Sequence, residues 1–457
     1  MSAELEIVSE DFSRPYRIPF LIGVYLATNA IPDSYLVVDG PDCTMRKAGW
    51  VHGLHDWFSS LLDVFGYHRI ATSLVEENDV TKSKGERAMR LVHHMGQLPD
   101  AGIVFVSSMP HVHIIGTQYD TLLREEQKAT RARLVEVSCR SLEGDWLTGY
   151  SDVLTALARQ LDISGGALDP NKVAIIGNLM DRTEEDGAAN VRELERLVRA
   201  LGLTPQSTWL SNRPVAHLAA AKDAGTLVAL PLGRMAARRL AERTGAKVVE
   251  LELPFGLDRT QTFLRKLAAA TGKEDAAETF IDAELRRLIP RLEWVVPHVF
   301  EGKRVLYDGT PDTFGGFLDI ASDLGMKVEL LISSASAAFA SPALGRDIRR
   351  LPPVLFEPKW SEMSNAVARL VDGGLDLMVA SGLVRPFAGG GVPVVEFGFP
   401  SMRQHALFER PHLGFQGWAC FVDRLANRLN DFDGAPVSRA QPEVSRELAR
   451  LHARVGT

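Results

Sequence analysis

The run VVDGPDCTMRKAGWVHGLHDW, from Val37 to Trp57, decides how the chain is read. It begins as a buried strand, β-branched and apolar. Gly40-Pro41 ends that strand and turns the chain sharply. Cys43 stands just past the turn, where a helix N-terminus is expected. That position lowers a thiol pKa and favours the thiolate, the form that binds metal. Taken from the residues alone, three readings stay open for Cys43. It is a buried structural thiol, a reactive thiol, or one ligand of a cluster shared with another chain. A soft thiolate suits iron–sulfur chemistry, but one cysteine cannot hold a cluster alone.

Outward from this run, short apolar stretches alternate with helical patterns. SYLVVDG (34–40), HRIATSL (68–74), AGIVFVSSM (101–109) and ARLVEVSC (132–139) read as strands, as do KVAIIGN (172–178), TLVALP (226–231) and AKVVELELP (246–254). KRVLYDG (303–309), KVELLIS (327–333), LDLMVAS (375–381) and VPVVEFGFP (392–400) follow. Most are apolar throughout, as strands covered on both faces are. NVRELERLVRALGL and RMAARRLAERTG are among the helices between them. The expected fold class is α/β: three Rossmann-like domains with mainly parallel sheets around a central cleft. The expected domains are 1–165, closed by the loop DISGGALDP, then 166–295, then 296–457 with a polar helical tail from Asp431. Ligands of such sheets bind beyond the carboxyl ends of strands, so small polar loops there should line the cleft.

Composition excludes several classes. The 457 residues are 46% hydrophobic and 24% charged, as in an ordinary globular protein. A net charge of -7 leaves no basic footprint for nucleic acid. Cysteines at 43, 139 and 420 form no secreted disulfide framework. No apolar run reaches the roughly 18 residues of a membrane span. A cytoplasmic protein with free thiols is expected, with neither nucleic acid nor membrane as partner.

Standard site motifs are missing: no phosphate loop, no G-x-G-x-x-G, no zinc spacing. His111 and His113 follow a strand end, and His93-His94 sit on an expected helix. Arg46, Lys47 and Arg69 read as a solvated surface or an anion site. Asp308, Asp312 and Asp319 look like a carboxylate cluster, with Asp312 as an alternative helix cap. Cys139 could face the cleft, and Cys420, in GWACFVDRL, reads as core.

The order of features resembles the nitrogenase component 1 family over roughly residues 16–430. IPFLIGVYLATNAIPDSYLVVDGPDCTM is similar to the family's opening helix, strand and G-x-x-C turn. SLVEENDVTKSKGERAMRLV, AGIVFVSSMPHVHIIGTQYDTLLRE and VEVSCRSLEGDWLTGYSDVL resemble its next passages. LDLMVASGLVRPFAGGGVPVVEFGFPSMRQHALFERPHLGFQGWACFVDRLAN resembles the β-type subunits of this family, which as a whole includes the molybdenum–iron protein, its scaffold homologues and dark-operative protochlorophyllide reductase.

The resemblance implies an electron-relay cluster between subunits, held in nitrogenase by three cysteines per chain. Here the first position falls near Pro19 and the third near Met109, and only Cys43 remains. In protochlorophyllide reductase one subunit gives three cysteines and the other a single aspartate from this same turn. Cys43 is therefore expected to be the fourth ligand of a 4Fe-4S cluster whose other three come from a homologous component 1 subunit. The middle domain has no cysteine in ALPLGRMAARR, so a nitrogen-reducing cofactor is not expected. The implied function is one subunit of a two-component oxidoreductase, a heterotetramer fed by an ATP-dependent iron–sulfur reductase. A substrate, with a tetrapyrrole among the candidates, would be reduced in the interdomain cleft. His111, His113, Asp308 and His405 are the candidate proton donors. The alternatives are a cofactor-assembly scaffold and a non-redox binding protein of similar fold.

Overall fold

The computed structural model describes residues 13–63, 65–75, 85–113, 116–138, 142–337 and 351–432. Among them three sheets form, and every strand pair is parallel. The first contains β1 (Ser34–Asp39), β2 (Ile70–Thr72), β3 (Ile103–Ser108) and β4 (Arg133–Glu136), in the order β2-β1-β3-β4. The second contains β5 (Asp169–Ile176), β6 (Thr204–Thr208), β7 (Ala224–Ala229) and β8 (Lys247–Glu250), in the order β6-β5-β7-β8. The third contains β9 (Arg304–Asp308), β10 (Lys327–Ser333), β11 (Val354–Phe356), β12 (Leu377–Ala380) and β13 (Val394–Glu396), in the order β11-β10-β9-β12-β13. In each sheet the strand order reverses beside its first strand, β1, β5 or β9, which opens a crevice at the carboxyl ends.

The apolar strands behave as their composition requires. Every residue of β1 and β3 is buried, and Leu36 sits between Ile70 and Phe105 in register. Two strands escape the sequence reading, β6 and β11. Both lie at sheet edges; β6 is the polar run TPQST, and β11 is three residues after Pro352-Pro353. Edge strands bury one side and need little apolar surface.

The helix Phe20–Asn29 is apolar all round, and all ten of its residues are buried. Such a helix belongs inside a protein or a membrane; here it crosses the helix Trp146–Gln160. At the crossing a Cβ on Gly23 would lie 1.8 Å from the Trp146 carbonyl oxygen, and one on Gly149 would lie 2.1 Å from the Phe20 oxygen. The two glycines let the backbones touch. No helix among the described residues is long and apolar enough to cross a membrane.

One core joins Leu36 and Trp146 to Ala174, Leu227 and Phe399; another joins Val173 and Phe255 to Val305, Phe397 and Phe421. The second sheet thus packs against both of the others. The carboxyl ends of β5, β9, β10, β12 and β13 meet at the centre.

Candidate functional site

Two places carry chemistry: the turn that presents Cys43, and a cavity where the sheets meet. In the first, Cys43 is the first residue of the helix Cys43–Val51, and it is exposed. The helix has no side-chain cap, so the positive end of its dipole lies beside the thiol, with the Met45 N–H turned back onto the Asp42 carbonyl at 3.0 Å. The turn before it is pinned from neighbouring strands. Asp39 is buried and accepts from the Ser73 hydroxyl at 2.5 Å and from Tyr119. Thr72 donates to the Gly40 carbonyl at 2.6 Å, and Val75 N–H donates to the same oxygen at 3.2 Å. Met109 is held beside the turn by its N–H on the Asp39 carbonyl at 2.9 Å. Pro19 caps the helix Phe20–Asn29 and pairs with Asp145 through a single bridge.

The central cavity measures about 60 Å³. Asn178, Asp181, Asp186 and Asn190 enter it after β5, and Asp308, Thr310 and Asp312 after β9. Tyr16, Ser334, Ser381 and His412 complete its polar wall, and Trp146, Leu253, Phe397 and Phe399 its apolar one. Asp308 is the best-tied group. Its Oδ2 accepts from the Ser381 hydroxyl at 2.7 Å, from the Ser381 N–H at 3.1 Å and from the Tyr16 hydroxyl at 3.2 Å. Burial pushes its pKa up to about 6, against the pull of those donors. Burial also raises Asp312, and it raises Asp181 to about 7. Burial acts on Asp186 too, but Arg182 and His412 outweigh it and hold that carboxyl below the usual range. Arg182 bonds Asp186 at 2.9 Å, and His412 Nδ1 lies 3.3 Å from the other carboxylate oxygen.

The structure divides the sequence candidates. Asp308 and Asp312 line the cavity, but Asp319 pairs with Arg259 at 2.8 Å outside that lining. Thr310, not Asp312, occupies the cap position of the helix Pro311–Asp323; Pro311 takes its first turn as its missing N–H allows. His405 lines a separate open groove. Its ring stacks on Trp57 at 3.7 Å, and its Nδ1 meets Glu184 at 3.0 Å. His111 and His113 lie in the short helix Pro110–His113 after β3; their side chains are outside the described part. Cys139 and residues 433–457 are also outside it. Cys420 is half-buried rather than core.

Arg69 is neither surface nor anion site. It is buried and donates to the carbonyls of Thr28, Ile31, Ser34 and Ser60. His93 pairs with Glu126 at 2.7 Å on an exposed helix face. Sequence reasoning missed Tyr16, the loop 179–186 and His412, while Asn178 lies in a strand-end loop expected to line the cleft. The charge run DRTEEDG just after a strand's carboxyl end was the available signal for that loop. Among the described residues no group of three or more His, Cys, Asp or Glu side chains could hold a metal ion.

Residues 20–430 match the family of nitrogenase component 1 type oxidoreductases, and the chain belongs to that family. The vanadium-iron nitrogenase beta chain of Trichormus variabilis is 22% identical over 399 residues, covering 79% of this chain and 85% of that one. Subunit N of the light-independent protochlorophyllide reductase of Roseiflexus castenholzii is 27% identical over 247 residues, covering 53% and 55%. A structure of nitrogenase Cp1 at pH 6.5 superposes with a TM-score of 0.76 at 18% identity, over 92% of this chain and 93% of that one. That superposition agrees with the α/β fold of parallel sheets.

Proposed function

We propose that this chain is one subunit of a nitrogenase-like two-component oxidoreductase, and that Cys43 supplies one ligand to a 4Fe-4S cluster shared with a homologous subunit. The observation that carries this reading is the exposed thiol at the first residue of an uncapped helix, on a turn pinned by Asp39, Thr72 and Ser73. The residues present fit a single-ligand role. They offer one thiol to a partner's face, and among the described residues no cluster of ligands that would close a site within the chain. The names of the relatives, metal-iron protein beta chains and a reductase subunit, support a redox subunit that works in a complex.

Bound there, the cluster would supply one-electron transfer delivered from an ATP-dependent iron–sulfur reductase. This chain's own work is narrower. The hydrogen bonds to Asp39 and Gly40 fix where the sulfur is presented. In the cavity, Asp308 holds a proton up to a pH of about 6, with Tyr16 and Ser381 fixing its two oxygens. It is the candidate proton donor best placed to serve a bound substrate. A small substrate fits the cavity as it stands; a tetrapyrrole, much larger than about 60 Å³, requires the sheets to part.

Iron analysis and EPR of the co-expressed complex test the reading. Cys43→Ala should leave the complex poor in iron, and Cys43→Asp, which keeps an anionic ligand of harder type, should retain most of it. A full cluster with an unchanged spectrum in Cys43→Ala would remove the shared-cluster role.

A further inference from the structure

Two polar atoms in the wall of the central cavity have no partner: Oδ1 of Asp312 and Nδ2 of Asn178. Both residues are more than nine-tenths buried, at 5% and 1% exposure. Buried polar atoms of folded proteins nearly always find a partner, and those that do not call for an occupant. Neither atom is a by-product of a loose loop. Asp312 lies in the first turn of the helix Pro311–Asp323, and the Thr310 hydroxyl already bonds its carboxyl. Asn178 follows Gly177, and its backbone oxygen is taken by the Tyr150 hydroxyl at 2.8 Å. The free groups are therefore a carboxylate oxygen, which accepts, and an amide N–H, which donates.

The remaining wall sets the charge. Asp181, Asp186 and Asp308 join Asp312 around the same space. The nearby Arg182 is already shared between Asp186 and Glu185. His412 is engaged with Asp186 and Asn190. The cavity thus has an excess of carboxyl groups and an unpartnered acceptor. A cation with N–H donors answers both, because a buried charge needs an opposite charge and hydrogen bonds. The donor of Asn178 asks in addition for an oxygen. That oxygen must be neutral, since a carboxylate would face four carboxyl groups. Trp146, Leu253 and Phe397 give an apolar wall for a carbon chain, which the small cavity of about 60 Å³ keeps short.

We propose that the central cavity binds a small primary amine that also carries a neutral oxygen, such as an amino alcohol, with its ammonium group on Asp312 and its oxygen on Asn178. This deepens the reading of the cavity as a substrate site, and its test is separate from the redox reading: the site is built from residues of one chain and involves neither Cys43 nor iron.

Ethanolamine hydrochloride is the probe, titrated calorimetrically into the full chain at neutral pH and constant ionic strength, with thermal unfolding followed in parallel. Choline keeps the charge and the hydroxyl but has no N–H; propylamine keeps the ammonium group but has no oxygen. Saturable binding of ethanolamine, with a rising Tm, is expected, and about tenfold or weaker binding of the other two. Asp312→Asn should abolish the ethanolamine response. Its circular dichroism and Tm without ligand should match or exceed those of the natural chain, because it removes a buried acid without changing shape. Equal responses to all three cations, an unchanged response in folded Asp312→Asn, or no saturable binding of ethanolamine would each overturn the proposal and leave a cavity occupied by water. Iron content reports separately on Cys43.

Discussion

The hydroxyl of Tyr16 lies 3.2 Å from Oδ2 of Asp308, although 292 residues separate them in the chain. Tyr16 lies near the start of the first described segment, and Asp308 is the last residue of β9. The same hydroxyl is 3.0 Å from Ser381 Oγ, so three chain segments close over one carboxyl. Burial raises the Asp308 pKa from 3.8 to about 6. A raised carboxyl keeps its proton in the folded state after the unfolded chain has lost it. Stability from this group therefore falls as pH rises from about 4 to about 6, and the loss is complete above that. Asp308→Asn removes this titrating group. In urea denaturation the variant should show a flatter pH profile across that window, with a difference of roughly 2 kcal/mol between its ends. Tyr16→Phe removes a donor to the carboxylate and should push the titration higher still. Identical profiles for the natural chain and Asp308→Asn would show that the group titrates normally.

Trp57 and His405 form a strut. Their rings stack with 17° between planes, and Glu184 accepts both the His405 ring nitrogen and the Trp57 N–H, at 3.0 and 3.1 Å. His405→Ala should lower stability by about 1–2 kcal/mol, through the lost stack and one hydrogen bond. Turnover per folded complex should hold. A large fall in kcat with unchanged stability would return His405 to the chemistry.

The Gly23–Gly149 crossing yields a contrast between two alanines. Gly23→Ala drives a Cβ into the Trp146 carbonyl at 1.8 Å, in a place where backbone would have to shift. A cost of about 3 kcal/mol or more is expected. Gly49→Ala, in the helix Cys43–Val51, meets nothing within 4 Å and should be neutral or stabilising by up to about 1 kcal/mol. Thermal unfolding of both variants decides whether close approach or helix propensity governs these glycines.

Much of this architecture was legible because buried parallel strands must be apolar throughout. β10 occupies 327–333, the span its sequence marks, and β1 differs from 34–40 by one residue. β6 was not legible because an edge strand can be polar. Arg69 was misread for a related reason: its charge looks like surface, but its donors all go to oxygens brought near it by the turn between the helix Phe20–Asn29 and β1 and by residue Ser60. Cys43 could be placed at a helix start from local sequence alone. A cleft at the strand ends, with Asp308 in it, could be expected from sequence; its full wall could not, since Tyr16 and His412 come from distant segments and join Asn178 and Asp308 only through packing.

Leu74 gives the last prediction. It follows β2, 53% exposed, with φ at 53°, in the left-handed region that a leucine rarely adopts. Its neighbour Val75 donates to Gly40, so Leu74 stands beside the Cys43 turn. An exposed leucine in a strained conformation is poorly suited to an isolated chain, where Asn or Asp would sit more easily. It is well suited to a face that a partner covers, and a shared cluster requires such a face around Cys43, with an obligate pair burying about 2,000 Å² or more. Leu74→Asp should leave the isolated chain equally stable, or more stable by a few tenths to about 1 kcal/mol. Co-expressed with the homologous subunit, the natural chain should run as a heterotetramer by light scattering. Leu74→Asp should run as separate subunits and lose iron, because a buried unpaired carboxylate would replace an apolar contact at the interface. An intact, iron-replete heterotetramer carrying Leu74→Asp would place the partner's face away from this turn, and with it the ligand role of Cys43.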